Sequence, residues 1–200
     1  SGYPKGAIWE YLMTLANSNY EDWRLANPNE DIDNFKFSFS KMSKAGALFD
    51  MVKLADVSKN YICRLSAEEV YEMVTDWAKE NNKKLYKLLV DDEEYAKAIF
   101  AIERGNAKPR KDISAWTDVE NYVSYFYSEL WDRKFDFPDN LSNDDMIEIL
   151  ELYKQIYDEN VSSDDWFPQV RDMAETIGYA KAPKVYKKDP DSYKGHVGDV

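Results

Sequence analysis

SAEEVYEMVTDW, residues 66–77, contains both a helix start and a helix face. Ser66 followed three residues later by Glu69 has the spacing of a capping box, in which hydroxyl and carboxylate each satisfy an orphan amide at the helix N-terminus. Val70, Met73, Val74 and Trp77 then recur at helical spacing, which predicts a buried face. The same period runs outward in both directions. Toward the N-terminus, Ser43 to Leu65 reads as helical through Leu48, Phe49, Val52, Leu54, Val57, Tyr61, Ile62 and Leu65. Before it, Pro4 to about Ser18 places Ile8, Leu12, Leu15 and Ala16 on one stripe, with Pro4 where a missing N–H costs nothing. A short helix around Tyr20 to Ala26, a loop at NPNEDIDN (27–34) and one short extended segment at FKFSF (35–39) lie between.

Toward the C-terminus, Leu85, Leu88 and Leu89 give one amphipathic segment, and Tyr95, Ile99 and Ile102 another after the acidic run Asp91–Glu94. Gly105 and Pro109 mark a helix boundary. Thr117 and Glu120 repeat the capping-box spacing ahead of a wide stripe, Val119, Tyr122, Val123, Phe126, Tyr127 and Leu130, whose regularity favours core burial over base stacking. FDFPDNLSN (135–143) is the clearest break in the chain. Beyond it, Met146, Ile149, Leu150, Tyr153, Ile156 and Tyr157 form one face. Ser162 with Asp165 starts a last substantial helix through Trp166, Val170, Met173, Ala174 and Ile177, with Gly178 near its end. The fold class is all-α, multihelical.

Composition excludes several chemistries. The 200 residues are 44% hydrophobic, enough for one domain or two small ones. A net charge of −12 argues against a generally basic nucleic-acid coat. One cysteine, Cys63, and one histidine, His196, allow neither a disulfide framework nor a Cys/His metal site, so no metal ligands are assigned; Cys63 reads as a small core side chain and His196 as a structural or surface residue. Asp91–Glu94 point around a helix circumference instead of converging on an ion, and suit its N-terminal turn. Asp144 and Asp145 have the same geometry. Serine elbow, Walker loop and dinucleotide fingerprint are absent, so no catalytic residues are assigned. No apolar run reaches the roughly 20 residues of a bilayer span, and a cytoplasmic location fits the cysteine usage.

The distribution of charge says more than its sum. Residues 136–165 hold ten acids and one lysine, whereas residues 181–194 hold five lysines and two aspartates. Lys108, Arg110 and Lys111 form one basic group around Pro109; Lys184, Lys187, Lys188 and Lys194, interleaved with Tyr179, Tyr186 and Tyr193, form another. Lysines can neutralise RNA phosphates and an exposed tyrosine can stack on an unpaired base. Two readings stand for both groups: phosphate contact, or an ordinary solvated surface with the tyrosines as anchors.

Four stretches taken in order, GYPKGAIWEYLMTLANSNYEDWR (2–24), KMSKAGALFDMVKLADVSK (41–59), IERGNAKPRKD (102–112) and YKKDPDSYKGHVGDV (186–200), resemble one branch of bacterial glutamyl-tRNA synthetases. The resemblance implies a stem-contact region over residues 1–65 and a helical anticodon-binding region over 66–200, cut short at its C-terminal end. It implies tRNA as partner, together with the catalytic domain of the same chain. ATP and magnesium would be cofactors of that parent ligase, and the fragment alone would not catalyse. KMSKA, with Lys41 and Lys44, looks like the family's ATP-phosphate loop, where a cation offsets developing charge. In the family that loop precedes the GYxxxAxxEYL element, whereas here GYPKGAIWEYL comes first, so Lys41 and Lys44 are assigned to a noncatalytic look-alike. The resemblance raises the expectation of RNA contact at Lys108, Arg110 and Lys111, and less so at Lys184, Lys187, Lys188 and Lys194. A noncatalytic protein-interaction domain is the alternative.

Overall fold

Ser66 and Glu69 make the reciprocal cap that their spacing predicts. The Ser66 hydroxyl accepts the Glu69 N–H at 3.1 Å, and the Glu69 carboxylate accepts the Ser66 N–H at 2.7 Å. The computed structural model describes residues 2–42, 48–132 and 141–200, and of Ser163 the backbone alone. The chain divides into two units, Ser1–Arg133 and Lys134–Val200. The division falls just before the FDFPDNLSN stretch.

The first unit contains α1 (Lys5–Ala16), α2 (Tyr20–Ala26), α3 (Met51–Ile62), α4 (Ala67–Asn81), α5 (Lys83–Asp91), α6 (Glu93–Ala101) and α7 (Val119–Val123). Its core forms where α4 meets α5, α6 and α7: Val70, Val74 and Ala78 pack with Leu85, Leu89, Ile99, Phe100, Val119 and Val123. Each fully buried Leu or Val contributes about 1.5–3 kcal/mol. Asn82 and Asp92 supply the next two caps, accepting the N–H groups of Leu85 and Tyr95, both at 3.0 Å. The acidic run is therefore split: Asp91 closes α5, Asp92 caps α6, and Glu93 and Glu94 occupy its first turn, with Glu93 paired to Lys97 one turn on.

Three sequence expectations need correcting. On α1 the buried residues are Ala7, Glu10 and Tyr11, while Leu12 is 42% exposed, so the inward face is displaced from the Ile8–Leu12–Leu15 stripe. The cause is α3. Gly6 lies so close to Tyr61 that a Cβ there would clash with its ring and hydroxyl, and the Tyr11 hydroxyl accepts the Asp50 N–H. Second, the α3 helix begins at Met51, where Asp50 caps it by accepting the N–H groups of Val52 and Lys53. Leu48, included in the expected helix, precedes it, and Leu48 and Val52 are 91% and 78% exposed. Third, Thr117 and Glu120 form no capping box. Asp118 does that work, accepting from the Ser114 hydroxyl and the N–H groups of Ser114 and Ala115, ahead of a helix that covers only part of the predicted stripe. Burial raises the Asp118 pKa, but these bonds outweigh it and hold the carboxyl below its usual range.

Phe35 and Ser38 have extended backbones between 3-10 turns at Ile32–Asn34 and Phe39–Lys41; the expected extended segment is present without a sheet partner among the described residues.

The second unit contains α8 (Asn143–Ile156), α9 (Ser163–Thr176) and α10 (Pro183–Lys188). Ser142 and Ser162 cap α8 and α9. Ile149, Val170, Met173, Ala174, Tyr179 and Val197 make its core. Leu150 and Tyr157, expected with Ile149, are exposed. Gly178, at φ +90°, turns the chain out of α9, which glycine does without strain. Ala180 and His196 then form an isolated parallel bridge. The His196 Nδ1 accepts the Gly198 N–H at 3.0 Å, a structural role. No helix among the described residues is long and apolar enough to cross a membrane.

Candidate nucleic-acid interface

The first basic group lies on the loop that leaves α6. Arg104 fixes where this loop starts: its guanidinium donates to the carbonyls of Phe100 (2.8 Å), Ile62 (2.7 Å) and Leu65 (3.1 Å), bringing the C-terminal ends of α3 and α6 together. Carbonyl ends of helices favour a cation, although burial lowers the Arg104 pKa. Glu103 at φ +52° and Gly105 at φ +75° then reverse the chain.

On this loop the three candidate side chains are all exposed but differently engaged. Arg110 is paired to Asp112 at 2.5 Å and Glu103 at 3.5 Å, and its hydrogen bond to Asp112 raises its pKa. The Lys111 ammonium donates to Asn60 Oδ1 at 2.6 Å. Lys108 is held only through its backbone N–H, which donates to Asn106 Oδ1 at 2.9 Å; its ammonium has no partner among the described residues. Exposed pairs of this kind are screened by water and contribute little, so a polyanion can displace them.

The second group is divided. Lys184, Lys187 and Lys188 are exposed on α10, and the last two lie in its final turn, where the helix dipole favours cations. None of the three has an ion pair among the described residues. Lys194 is different: it pairs with Asp145 (3.2 Å) and Glu148 (3.4 Å) on α8, and the Asp145 hydrogen bond raises its pKa. Tyr179 is 1% exposed and cannot stack on a base, and Tyr186 meets the His196 ring edge-on at 6.0 Å. Tyr179 belongs to the core of the second unit, and Tyr186 is half-buried.

Lys41 is exposed at the end of its 3-10 turn, and its carbonyl accepts the Ser18 N–H. Lys44 lies outside the described residues. Near Lys41, Phe39 and Met42 are exposed, at 85% and 44%. Among the described residues no three His, Cys, Asp or Glu side chains converge on a metal position.

A cluster that no sequence spacing announces lies in the first unit. Glu10 is buried in α1, and its Oε1 receives Nη2 of Arg24 at 3.1 Å and Nη2 of Arg64 at 2.6 Å. These residues are brought together by α1, α2 and the turn after α3. Arg24 also donates to the carbonyls of Asn27 (3.0 Å) and Glu30 (2.6 Å), fixing the loop after α2. A cleft of about 620 Å³ opens beside the cluster, with Lys53, Asn60 and Lys111 on its walls.

No family model and no solved structure matches the chain. Curated proteins do. A glutamate–tRNA ligase of Acetivibrio thermocellus is 44% identical over 199 residues, covering all of this chain and 36% of that protein. One from Clostridium perfringens is 42% identical over 203 residues, with 37% of its length covered, and one from Sorangium cellulosum 43% over 201 residues, with 35% covered. The chain spans about a third of the length of the curated relatives it matches. It is homologous, from end to end, to one region of the bacterial glutamate–tRNA ligases.

Proposed function

We propose that the chain is the tRNA-binding portion of a glutamate–tRNA ligase, positioning tRNA for ATP-dependent glutamylation by a catalytic domain of the same parent. The observation that carries this reading is identity above 40% along the full chain to ligases of three genera. Residues 1–65 would contact the tRNA stem and residues 66–200 the anticodon arm. ATP and magnesium would act in the catalytic domain, leaving Lys41 and Lys44 in a noncatalytic look-alike and the fragment inactive alone. Holding the acceptor end in place lowers the orientational cost of transfer.

Lys108, Lys184, Lys187 and Lys188 are the cations best placed for phosphate contact, because none must first leave an ion pair among the described residues. Arg110, Lys111 and Lys194 would exchange existing partners for phosphate. A protein-interaction role is the second reading, favoured by the exposed Phe39, Leu48, Phe49 and Val52, an apolar surface unsuited to a polyanion.

Titration of the chain with matched and mismatched tRNAs at several salt concentrations tests the proposal. Saturable, salt-sensitive binding of matched tRNA is expected, weakened when Lys108, Arg110 and Lys111 are replaced by alanine, with helical content unchanged. Saturable binding of a protein partner without measurable tRNA affinity would favour the second reading. Glutamate-dependent ATP–pyrophosphate exchange by the chain alone would overturn the assignment of catalysis to another domain.

A further inference from the structure

Two guanidinium groups share one carboxylate oxygen at Glu10, so the ion cluster in this wall of the first unit carries a surplus positive charge. The side chains are largely desolvated, with 7% exposure for Glu10, 11% for Arg24 and 18% for Arg64, and charge in such a place needs a partner.

The two arginines are not equivalent. All three nitrogens of Arg24 are engaged: Nη2 with Glu10, Nη1 with the loop carbonyls, and Nε with the Tyr20 hydroxyl at 3.4 Å. Arg64 uses Nη2 alone, and its Nε and Nη1 have no hydrogen-bond partner among the described residues. Arg64 therefore retains unused Nε–H and Nη1–H donors and is one of the residues lining the 620 Å³ cleft. Lys53 and Lys111 also line it; against these cations stand Glu21, already paired with Lys53 at 2.5 Å, and Asp56. Counting Glu10 and Arg24, the lining remains one positive charge in excess, within a chain whose net charge is −12.

We propose that this cleft seats a phosphoryl anion, with Arg64 as one cationic donor and Lys111 as the second. Arg64 donates charge-assisted hydrogen bonds through the N–H groups that Glu10 leaves free, while Lys111 acts as a point charge that must leave Asn60 to reach the anion. The phosphate can belong to an RNA backbone or to a small free phosphate. The RNA source rests on the tRNA reading above, while the small-phosphate source does not.

Two measurements on the 200-residue chain separate the sources. Inorganic phosphate is titrated while the arginine Nε–Hε resonances are followed by NMR: the Arg64 signal shifts saturably and the Arg24 signal, already hydrogen-bonded, does not. tRNA affinity is then compared for wild type, Arg64→Ala, Arg64→Lys and Lys111→Ala. Arg64→Ala leaves Glu10 paired to Arg24, so the fold is expected to survive, and thermal unfolding checks this. Lys111→Ala does not touch the buried cluster and keeps the test valid if Arg64→Ala unfolds.

An RNA source predicts about tenfold weaker tRNA binding in Arg64→Ala, partial recovery in Arg64→Lys, and a salt-dependence slope lower by about 0.7–0.9 for each lost phosphate contact. A phosphate shift at Arg64 with unchanged tRNA affinity, or with no tRNA binding at all, supports the small-phosphate source; in the latter case the tRNA reading falls and the site stands. tRNA binding indifferent to all three substitutions, with no phosphate shift, overturns the site and leaves the tRNA reading intact. Neither phosphate nor tRNA binding overturns both.

Discussion

The backbone N–H of Asp50 donates to the Tyr11 hydroxyl at 2.6 Å, joining the residue that caps α3 to the buried face of α1 across 39 positions of sequence. One hydroxyl thus fixes where the third helix begins. The edge-on contact between Tyr11 and Phe49, with centroids 5.1 Å apart, holds the preceding residue in the same place.

Tyr11→Phe keeps the ring contact and leaves the Asp50 N–H without its partner. The expected loss is about 1–2 kcal/mol, read as a lower urea midpoint with unchanged slope. An unchanged midpoint would show that water serves the amide equally well.

At Tyr127 the sign reverses. Its hydroxyl is buried without a hydrogen-bond partner among the described residues, and burial pushes its pKa up to about 12. Removing an unsatisfied polar atom while keeping the ring should be neutral or stabilising by up to about 1 kcal/mol, so Tyr127→Phe should unfold no earlier than wild type on heating. A clear drop would reveal a partner for the hydroxyl.

Asp118 predicts an acid-sensitive contribution. Its folded pKa lies below the ordinary value of 3.8, so its stabilisation is complete well above that value. It fades as pH falls through 3.8 toward the depressed folded value, and is absent below both. Asp118→Asn should therefore cost about 1 kcal/mol at neutral pH and progressively less on acidification, measured as unfolding midpoints along a pH series. A difference that stays constant down to strong acid would remove the charge from the account.

Replacing Lys184, Lys187 and Lys188 together by alanine removes three exposed cations without touching the core of the second unit. If they contact tRNA phosphates, the slope of log affinity against log salt should fall by about 2–3, with little change in preference among tRNA sequences. A slope equal to that of wild type would place the phosphate contacts elsewhere.

What could be foreseen from sequence follows the range of the interaction. The caps at Ser66 and Ser162 join residues three apart, so their spacing is visible in sequence, although the same spacing at Thr117 and Glu120 yields no cap. The buried face of α1 could not be foreseen in the same way, because Gly6 meets Tyr61 and Glu10 meets Arg64 through contacts that span more than fifty residues. Hydrophobic periodicity assigned Leu12 inward, yet a glutamate one turn away from Gly6 goes there instead, held by two arginines. The basic groups show the same division. Their charges are visible in sequence, and the Arg110–Asp112 pair is local, whereas the capture of Lys194 by Asp145 joins residues 49 apart.

Gly6 and Tyr61 behave as a hole and its plug cut from different helices. Chimaeras that import the first helix from a relative without importing the matching third helix would bring an unmatched pair together, and any side chain at position 6 would force the ring aside. The exchangeable module is therefore the helix pair, and directed recombination in this region should place its crossovers before Lys5 or after Ile62, not between them.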